Sequence, residues 1–291
     1  MFKKGVITDE ISQDLEYAAK MAAEFGLSGL ELRSVWNKGV HELSEEEIAE
    51  AKRIAKAYNL EIPAISSPFF KCELTKPEEI QQHYEILAKA IAAAEKLGAK
   101  IIRGFAFWRR GSNFDELLPQ ITKQFQRPIA MLKEAGMALA LENEPSTYNC
   151  NAARTVQLIQ ALDSPQVRAV WDAGNDIYSL DEPEQPYPEG YNIIKDYMIH
   201  MHMKDAVQDP KTGKVEGVAI GKGQTNWRGQ LKALLDDGYS GYLCLETHYR
   251  PKGKLSEEQL NRPGGADFSN LGDIASRECL ENWFAIMKEI S

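Results

Sequence analysis

Met198-Ile199-His200-Met201-His202 is a short apolar run that stops on an imidazole. Three other segments have the same build: Ala138-Leu139-Ala140-Leu141-Glu142, Val167-Arg168-Ala169-Val170-Trp171-Asp172 and Tyr242-Leu243-Cys244-Leu245-Glu246. Each run is the length of a buried strand and ends at polar punctuation. Side by side and parallel, the four would gather three carboxylates and an imidazole at their carboxyl ends. Like charges crowded together repel and resist desolvation, and a cation at their centre resolves both problems. The pattern therefore points to a divalent-metal site in an enzyme.

Working outward, strand-like runs recur at 4–9, 29–33, 62–66, 100–107, 138–142, 167–172, 198–202 and 242–246. Helical patterns fill the gaps. The first covers 13–25 and stops at Gly26, and the second opens on the capping-box sequence Ser44-Glu45-Glu46-Glu47 and reaches Asn59. The third runs from Pro77 to Leu97, ahead of Gly98. The fourth spans 115–135, and its internal Pro128 predicts a kink or a break. Further helices are expected at 152–162, 191–197, 227–237 and 274–290. Strict alternation of eight strands with helices predicts parallel βαβ units closing as one (β/α)8 TIM barrel, an α/β fold, over residues 1–291. An open doubly wound sheet would want a glycine-rich turn after the first strand. The segment Thr8-Asp9-Glu10-Ile11-Ser12 has no glycine. Long connections at 176–190, 205–226 and 249–273 follow strand carboxyl ends, where barrels build substrate sites.

Composition narrows the classes. Hydrophobic residues make up 43% of the chain, enough for a large core. The net charge is −9, from 34 basic and 43 acidic residues, with no basic cluster, which argues against nucleic acid as partner. The four cysteines, Cys72, Cys150, Cys244 and Cys279, form no CxxC pair, so a thiolate zinc site or disulfide framework is not expected. The N-terminal segment goes straight into a strand, and no apolar stretch is long enough to span a bilayer; the expectation is a cytoplasmic protein without a membrane partner.

On strand seven, His200 and His202 share one face, since side chains two apart point alike. His202, nearer the carboxyl end, is the expected metal ligand, and His200 a packed, hydrogen-bonded histidine one layer deeper. Lys204 lies two residues further on, as a cation for a substrate oxygen or a solvated rim residue. Asn175 either bonds a sugar hydroxyl or caps a helix. Arg33, Ser66, Arg103 and Glu144 sit near strand ends and are candidates to line the pocket. The aromatics Trp36, Phe69, Phe70, Phe107 and Trp108 either wall a sugar ring or pack helices.

Taken in order, Leu141-Glu142-Asn143, Trp171-Asp172-Ala173-Gly174-Asn175, His200-Met201-His202-Met203-Lys204-Asp205, Ile220-Gly221-Lys222-Gly223-Gln224-Thr225-Asn226-Trp227 and Leu245-Glu246-Thr247-His248 resemble the xylose isomerase-like barrel superfamily. Its members include sugar phosphate isomerases and epimerases, inosose dehydratase and endonuclease IV. The resemblance implies one divalent metal held by Glu142, Asp172, His202 and Glu246, with Glu142 and Glu246 as the catalytic acid/base pair. Substrate contacts would come from Asn175, Lys204, Arg33, Arg103 and Ser66. Many members carry a histidine where this chain has Asn175. Endonuclease IV fits poorly, because its zinc cluster needs many histidines and this chain has five.

The implied activity is isomerisation or epimerisation of a sugar, sugar phosphate or cyclitol by glutamate-mediated proton transfer through a metal-stabilised enediolate. A dehydratase or β-eliminating lyase on a 3-keto sugar is one alternative, and a non-catalytic sugar-binding barrel another. Three carboxylates and an imidazole suit Mn2+ first, with Mg2+, Co2+ or Zn2+ admissible. The expected partner is a small carbohydrate; homo-oligomerisation stays open.

Overall fold

The structure, a computed structural model, describes residues 1–111 and 113–290. Eight parallel strands form the barrel: β1 (Lys3–Ile7), β2 (Gly29–Glu31), β3 (Ala64–Phe69), β4 (Ile101–Gly104), β5 (Ala138–Glu142), β6 (Val167–Asp172), β7 (Met198–Met203) and β8 (Tyr242–Leu245). Their order around the sheet is β2-β1-β8-β7-β6-β5-β4-β3. The ring closes between β2 and β3 through isolated parallel bridges, Gly29 with Glu61 and Leu32 with Ile65. The fold is thus the single (β/α)8 barrel that the alternation predicts.

The main outer helices are α1 (Leu15–Glu24), α2 (Glu45–Ala57), α3 (Pro77–Leu97), α4 (Phe114–Ala135) and α5 (Ala152–Leu162). After β6 come the short α6 (Ala173–Tyr178) and α7 (Tyr191–Ile194). Then follow α8 (Trp227–Asp236), α9 (Glu257–Asn261), α10 (Gly265–Ser269) and α11 (Gly272–Ile290). The punctuation works as its chemistry dictates. Ser44 and Glu47 cap α2 reciprocally, and Gly98 and Gly136 end α3 and α4 in the left-handed region at φ 88° and 62°.

Three local expectations are corrected. The helix α4 runs through Pro128 without a break. A proline at 128 withholds the N–H that would bond Gln124 O, and the Tyr84 hydroxyl on α3 donates to that carbonyl instead, at 3.1 Å. The strand expected at 100–107 stops at Gly104, because the chain leaves the sheet and Phe107 turns to φ 65°. The strand expected at 4–9 ends at Ile7, and Thr8–Glu10 form a 3-10 turn. That turn aims Asp9 and Glu10 inward, fully buried, over the mouth of the barrel.

Apolar side chains fill both the barrel interior and the layer between strands and helices. Phe69, Phe70 and Phe107 stack on one another, with centroids 3.9 and 4.2 Å apart, and Phe125 of α4 meets Phe70 edge-on at 5.0 Å. These three aromatics therefore pack helices rather than wall a pocket. No helix among the described residues is long and apolar enough to cross a membrane.

Candidate metal centre

Glu142 and Asp172 close β5 and β6, His202 is the last residue but one of β7, and Glu246 follows β8 by one residue. These four strands are adjacent in the sheet, so their ends converge. One ligand atom from each of the four residues lies within 4.8 Å of every other, and all four residues are buried. The geometry names the facing atoms. His202 Nδ1 is 3.4 Å from Glu142 Oε1 and 3.3 Å from Glu246 Oε2. Asp172 Oδ1 accepts the Asn175 amide and caps α6, while Asp172 Oδ2 faces the Lys204 ammonium. Three buried carboxylates and an imidazole with converging ligand atoms form a donor set that fits a small divalent cation.

Each glutamate is held from behind by an arginine. Arg103 Nη1 donates to Glu142 Oε2 at 2.6 Å, and Arg33 Nη1 donates to Glu246 Oε1 at 2.5 Å. Arg33 also binds Asp9 through Nε at 3.1 Å and Glu10 through Nη2 at 2.6 Å. Lys204 Nζ lies 2.8 Å from Asp172 Oδ2 and 3.1 Å from Glu246 Oε2.

Electrostatics follow from these pairings. Burial alone would raise Glu142, yet Arg103 and His202 pull its carboxyl down to about 2. Glu246 is likewise low: Lys204 and His202 outweigh its burial. Asp172 has no arginine. Burial and the two neighbouring glutamates push it well up against the pull of Lys204. His202 is buried, which disfavours its charged form, but Glu31 and Glu142 raise it well above the ordinary histidine range. Cation binding at this cluster must release protons, as for any site of neutral imidazole and ionised carboxylates.

The remaining sequence candidates fall around this cluster. Ser66 Oγ donates to Glu31 Oε1 at 2.5 Å, beneath the quartet. Asn175 sits inside α6, and its Nδ2 donates to Glu142 Oε1 at 3.2 Å and to Asn143 O at 2.8 Å. Arg33, Ser66 and Arg103 line the deep side of a cavity of about 620 Å3, with Lys71 and His83 on its wall. Phe105 lies between Arg103 and Lys71, at 4.6 and 4.4 Å from its ring centroid. Among the described residues the Arg103 guanidinium makes one hydrogen bond, to Glu142; its Nε is buried without a partner, and the residue lines the cavity. Lys71 Nζ binds Glu144 at 2.7 Å and Asn261 O at 2.9 Å, and so ties the end of α9 across the mouth.

His200 lies in the layer below, fully buried, with Nε2 2.7 Å from Glu31 Oε2. The Gly221–Gly223 segment wraps the Asp205 carboxylate, which accepts the amides of Gly221 at 2.8 Å and Gly223 at 3.0 Å. A Cβ on Gly223 would lie 2.1 Å from Asp205 Oδ1, so only glycine lets the loop close. Sequence reasoning did not single out Asp9, Glu10, Glu31, Lys71, Phe105 or His248. For Glu31 a signal existed: a carboxylate inside the otherwise apolar run Gly29-Leu30-Glu31-Leu32.

His83 gives a pH test outside the quartet. Its Nδ1 accepts the Phe70 amide at 2.8 Å, and burial pushes the imidazole down from 6.5 to about 4. Folding thus favours the neutral form, and the unfolded chain takes up the proton first as pH falls. Stability is expected to drop as pH falls from 6.5 towards 4. Urea midpoints across that window should show a shallower slope in His83→Gln than in the native chain. Parallel slopes would mean that His83 does not carry the effect.

Comparison with known proteins agrees with this architecture. Residues 19–265 match the family described as xylose isomerase-like TIM barrel. Inosose dehydratase from Clostridium perfringens is 27% identical over 135 residues, which are 42% of this chain and 44% of that protein. The match thus spans less than half of that relative's length. D-psicose 3-epimerase from Clostridium cellulolyticum H10 superposes with a TM-score of 0.72 at 15% identity, over 98% of this chain and 99% of that one. For 3-keto-D-glucoside 4-epimerase from E. coli the TM-score is 0.71 at 14% identity, over 99% and 100%. At such identities the two structures attest the fold alone. The family match runs from β2 through β8 and takes in every strand that carries a ligand of the quartet, and on that ground the chain belongs to the xylose isomerase-like TIM barrel superfamily of sugar isomerases and epimerases.

Proposed function

We propose that this protein is a divalent-metal-dependent isomerase or epimerase of a sugar, sugar phosphate or cyclitol, acting on the carbon beside a carbonyl. The observation that carries this reading is the buried convergence of Glu142, Asp172, His202 and Glu246. A divalent ion held by those four would supply positive charge to the substrate's carbonyl and neighbouring hydroxyl oxygens as negative charge develops there.

The chain's own groups do the rest. Glu142 and Glu246 come from the two outer strands of the four. With their far oxygens engaged by Arg103 and Arg33, both are kept ionised and oriented. One takes the proton from carbon, giving an enediolate; the other, having first taken up a proton from solvent, returns it from its own side. Return to the same carbon epimerises, and return to its neighbour isomerises. Lys204, buried beside Asp172 and Glu246, is an ammonium able to donate to a substrate oxygen. The spare donors of Arg103 can bind a hydroxyl or an anionic group in the cavity. Asn175 and Ser66 would act on the substrate only through Glu142 and Glu31, to which they donate.

The partial match to an inosose dehydratase favours a second reading, elimination of a β-hydroxyl. The same base would act, with Lys204 protonating the departing hydroxyl. Metal analysis of the purified protein, followed by a deuterium-exchange screen over ketoses, inososes and 3-keto sugars, tests both. Exchange with recovery of a sugar supports the isomerase, and an ultraviolet-absorbing enone supports the lyase. Bound sugar with no exchange at all would leave only a binding protein.

A further inference from the structure

We infer that Glu31 is a positioning residue that decides which imidazole nitrogen of His202 faces the quartet, and through that how tightly the quartet holds a cation. This rests on the metal reading above, but the hydrogen-bond pattern behind it stands on its own.

An imidazole has two nitrogens, and a neutral ring can offer a lone pair from only one of them. For His202 the two face different company. Nδ1 looks at Glu142 Oε1 and Glu246 Oε2. Nε2 looks away, 3.1 and 3.2 Å from the two oxygens of Glu31. An ionised carboxylate accepts hydrogen bonds and has none to give, so the nitrogen that faces it must carry the hydrogen. In the neutral ring this leaves the Nδ1 lone pair bare, at the centre of the quartet.

Everything around Glu31 reinforces that assignment. Ser66 Oγ lies 2.5 Å from Oε1, and His200 Nε2 lies 2.7 Å from Oε2. The Cys244 thiol, whose pKa burial and Glu31 push well up, faces the same carboxylate within 4.8 Å. Every polar neighbour therefore points a hydrogen at Glu31, and no lone pair opposes it. Glu31, His200 and Cys244 also lie close enough to suggest a second metal cluster. The oxygens of Glu31, however, already accept from Ser66, His200 and His202. A carboxylate behind a metal-binding histidine is a recurrent way to set ring orientation and ligand basicity. In this chain the carboxylate comes from β2, on the far side of the barrel from β7 in sequence, and binds both histidines of that strand.

Glu31→Gln keeps the shape and replaces one acceptor oxygen with an NH2 that must point at a donor. Wherever that NH2 faces His202 Nε2, the ring hydrogen moves to Nδ1 and the lone pair leaves the quartet. The expected result is a 10–100-fold loss of Zn2+ affinity by calorimetry on the metal-free protein, the range typical for such partners. Glu31→Asp, acceptor-only but one methylene shorter, should recover part of the loss, which a merely space-filling role would not predict. Nitrogen-15 spectra decide the point without any variant. The zinc-loaded native protein, whose ring is neutral, should show a slowly exchanging hydrogen on His202 Nε2, bonded to a carboxylate. If Nε2 lacks that hydrogen, or if Glu31→Gln binds Zn2+ within twofold of the native protein, the inference is overturned. Native protein that takes up no metal refutes the metal reading, while the nitrogen that keeps its hydrogen at alkaline pH, where the ring is neutral, still decides the role of Glu31.

Discussion

Replacing Glu142 or Glu246 with glutamine should abolish exchange of the substrate's α-proton with solvent. Each change removes an ionisable oxygen that faces His202 Nδ1 while keeping size and one acceptor for the arginine behind it. Loss of a positioned general acid or base slows proton transfer by about 10²–10⁴-fold, and loss of a charged ligand adds to that. Metal content measured on the same samples separates the two effects. The variants also discriminate between reactions. In an epimerase each glutamate serves one face, so each variant should lose exchange from one epimer first. In a dehydratase only one variant should lose exchange, and the other should exchange without eliminating. Undiminished exchange in both variants, with metal retained, would rule out the pair.

Arg33→Met should produce the largest loss of stability of any single change at the mouth of the barrel. The guanidinium is 5% exposed and is shared by Asp9, Glu10 and Glu246, which are themselves buried. It also stacks on Phe268, 4.8 Å from the ring centroid. Removing one member of a buried ion pair destabilises by about 3–5 kcal/mol, because the partner charge is left unpaired. Here three partners are left. Burial already raises Glu10 from 4.5 to about 7 despite Arg33 and Arg250. Without Arg33, Glu10 should hold its proton to still higher pH. A carboxyl raised in the folded state contributes stability at low pH that is lost as pH rises through its folded value. The deficit of Arg33→Met should therefore be greater at pH 8 than at pH 5, measured by urea denaturation at both. Arg33→Lys should not restore it, since one ammonium cannot span three carboxylates. A deficit below about 1 kcal/mol, the ceiling for exposed pairs, would show that solvent screens the network.

The barrel was legible because strand and helix signals here are local. A five- or six-residue apolar run with polar ends needs no distant partner to be read, and neither does Gly98 at a helix end. The quartet was legible for the same reason: each ligand is the last residue of its own run. What lay beyond reach were pairings across the sequence. Arg33 meets Glu246 across 213 positions, and His202 meets Glu31 across 171. No periodicity encodes such contacts. They explain why Arg33, expected to line the pocket, spends its donors on three carboxylates, and why Ser66 addresses Glu31. The overrun of the strand expected at 100–107 has a different origin: Phe105 and Phe107 look like strand residues, but tertiary stacking on Phe70 and Lys71 captures them as they leave the sheet.

The way the ring closes has a mechanical consequence. Parallel ladders join β5, β6, β7 and β8, the staves that bear the quartet, with one register shift between β6 and β7 at Ala169 and Val170. Between β2 and β3 the bridges are backed by backbone hydrogen bonds from Leu30 to Glu61, Glu61 to Ser28, Leu32 to Ala64 and Ser66 to Leu32. Arg33 stands just beyond one side of that join and Ser66 on the other, both on the wall of the cavity. The hoop is thus tied by backbone bonding all the way round, and each stave that carries a donor atom is held on both sides, which fixes the spacing of the four.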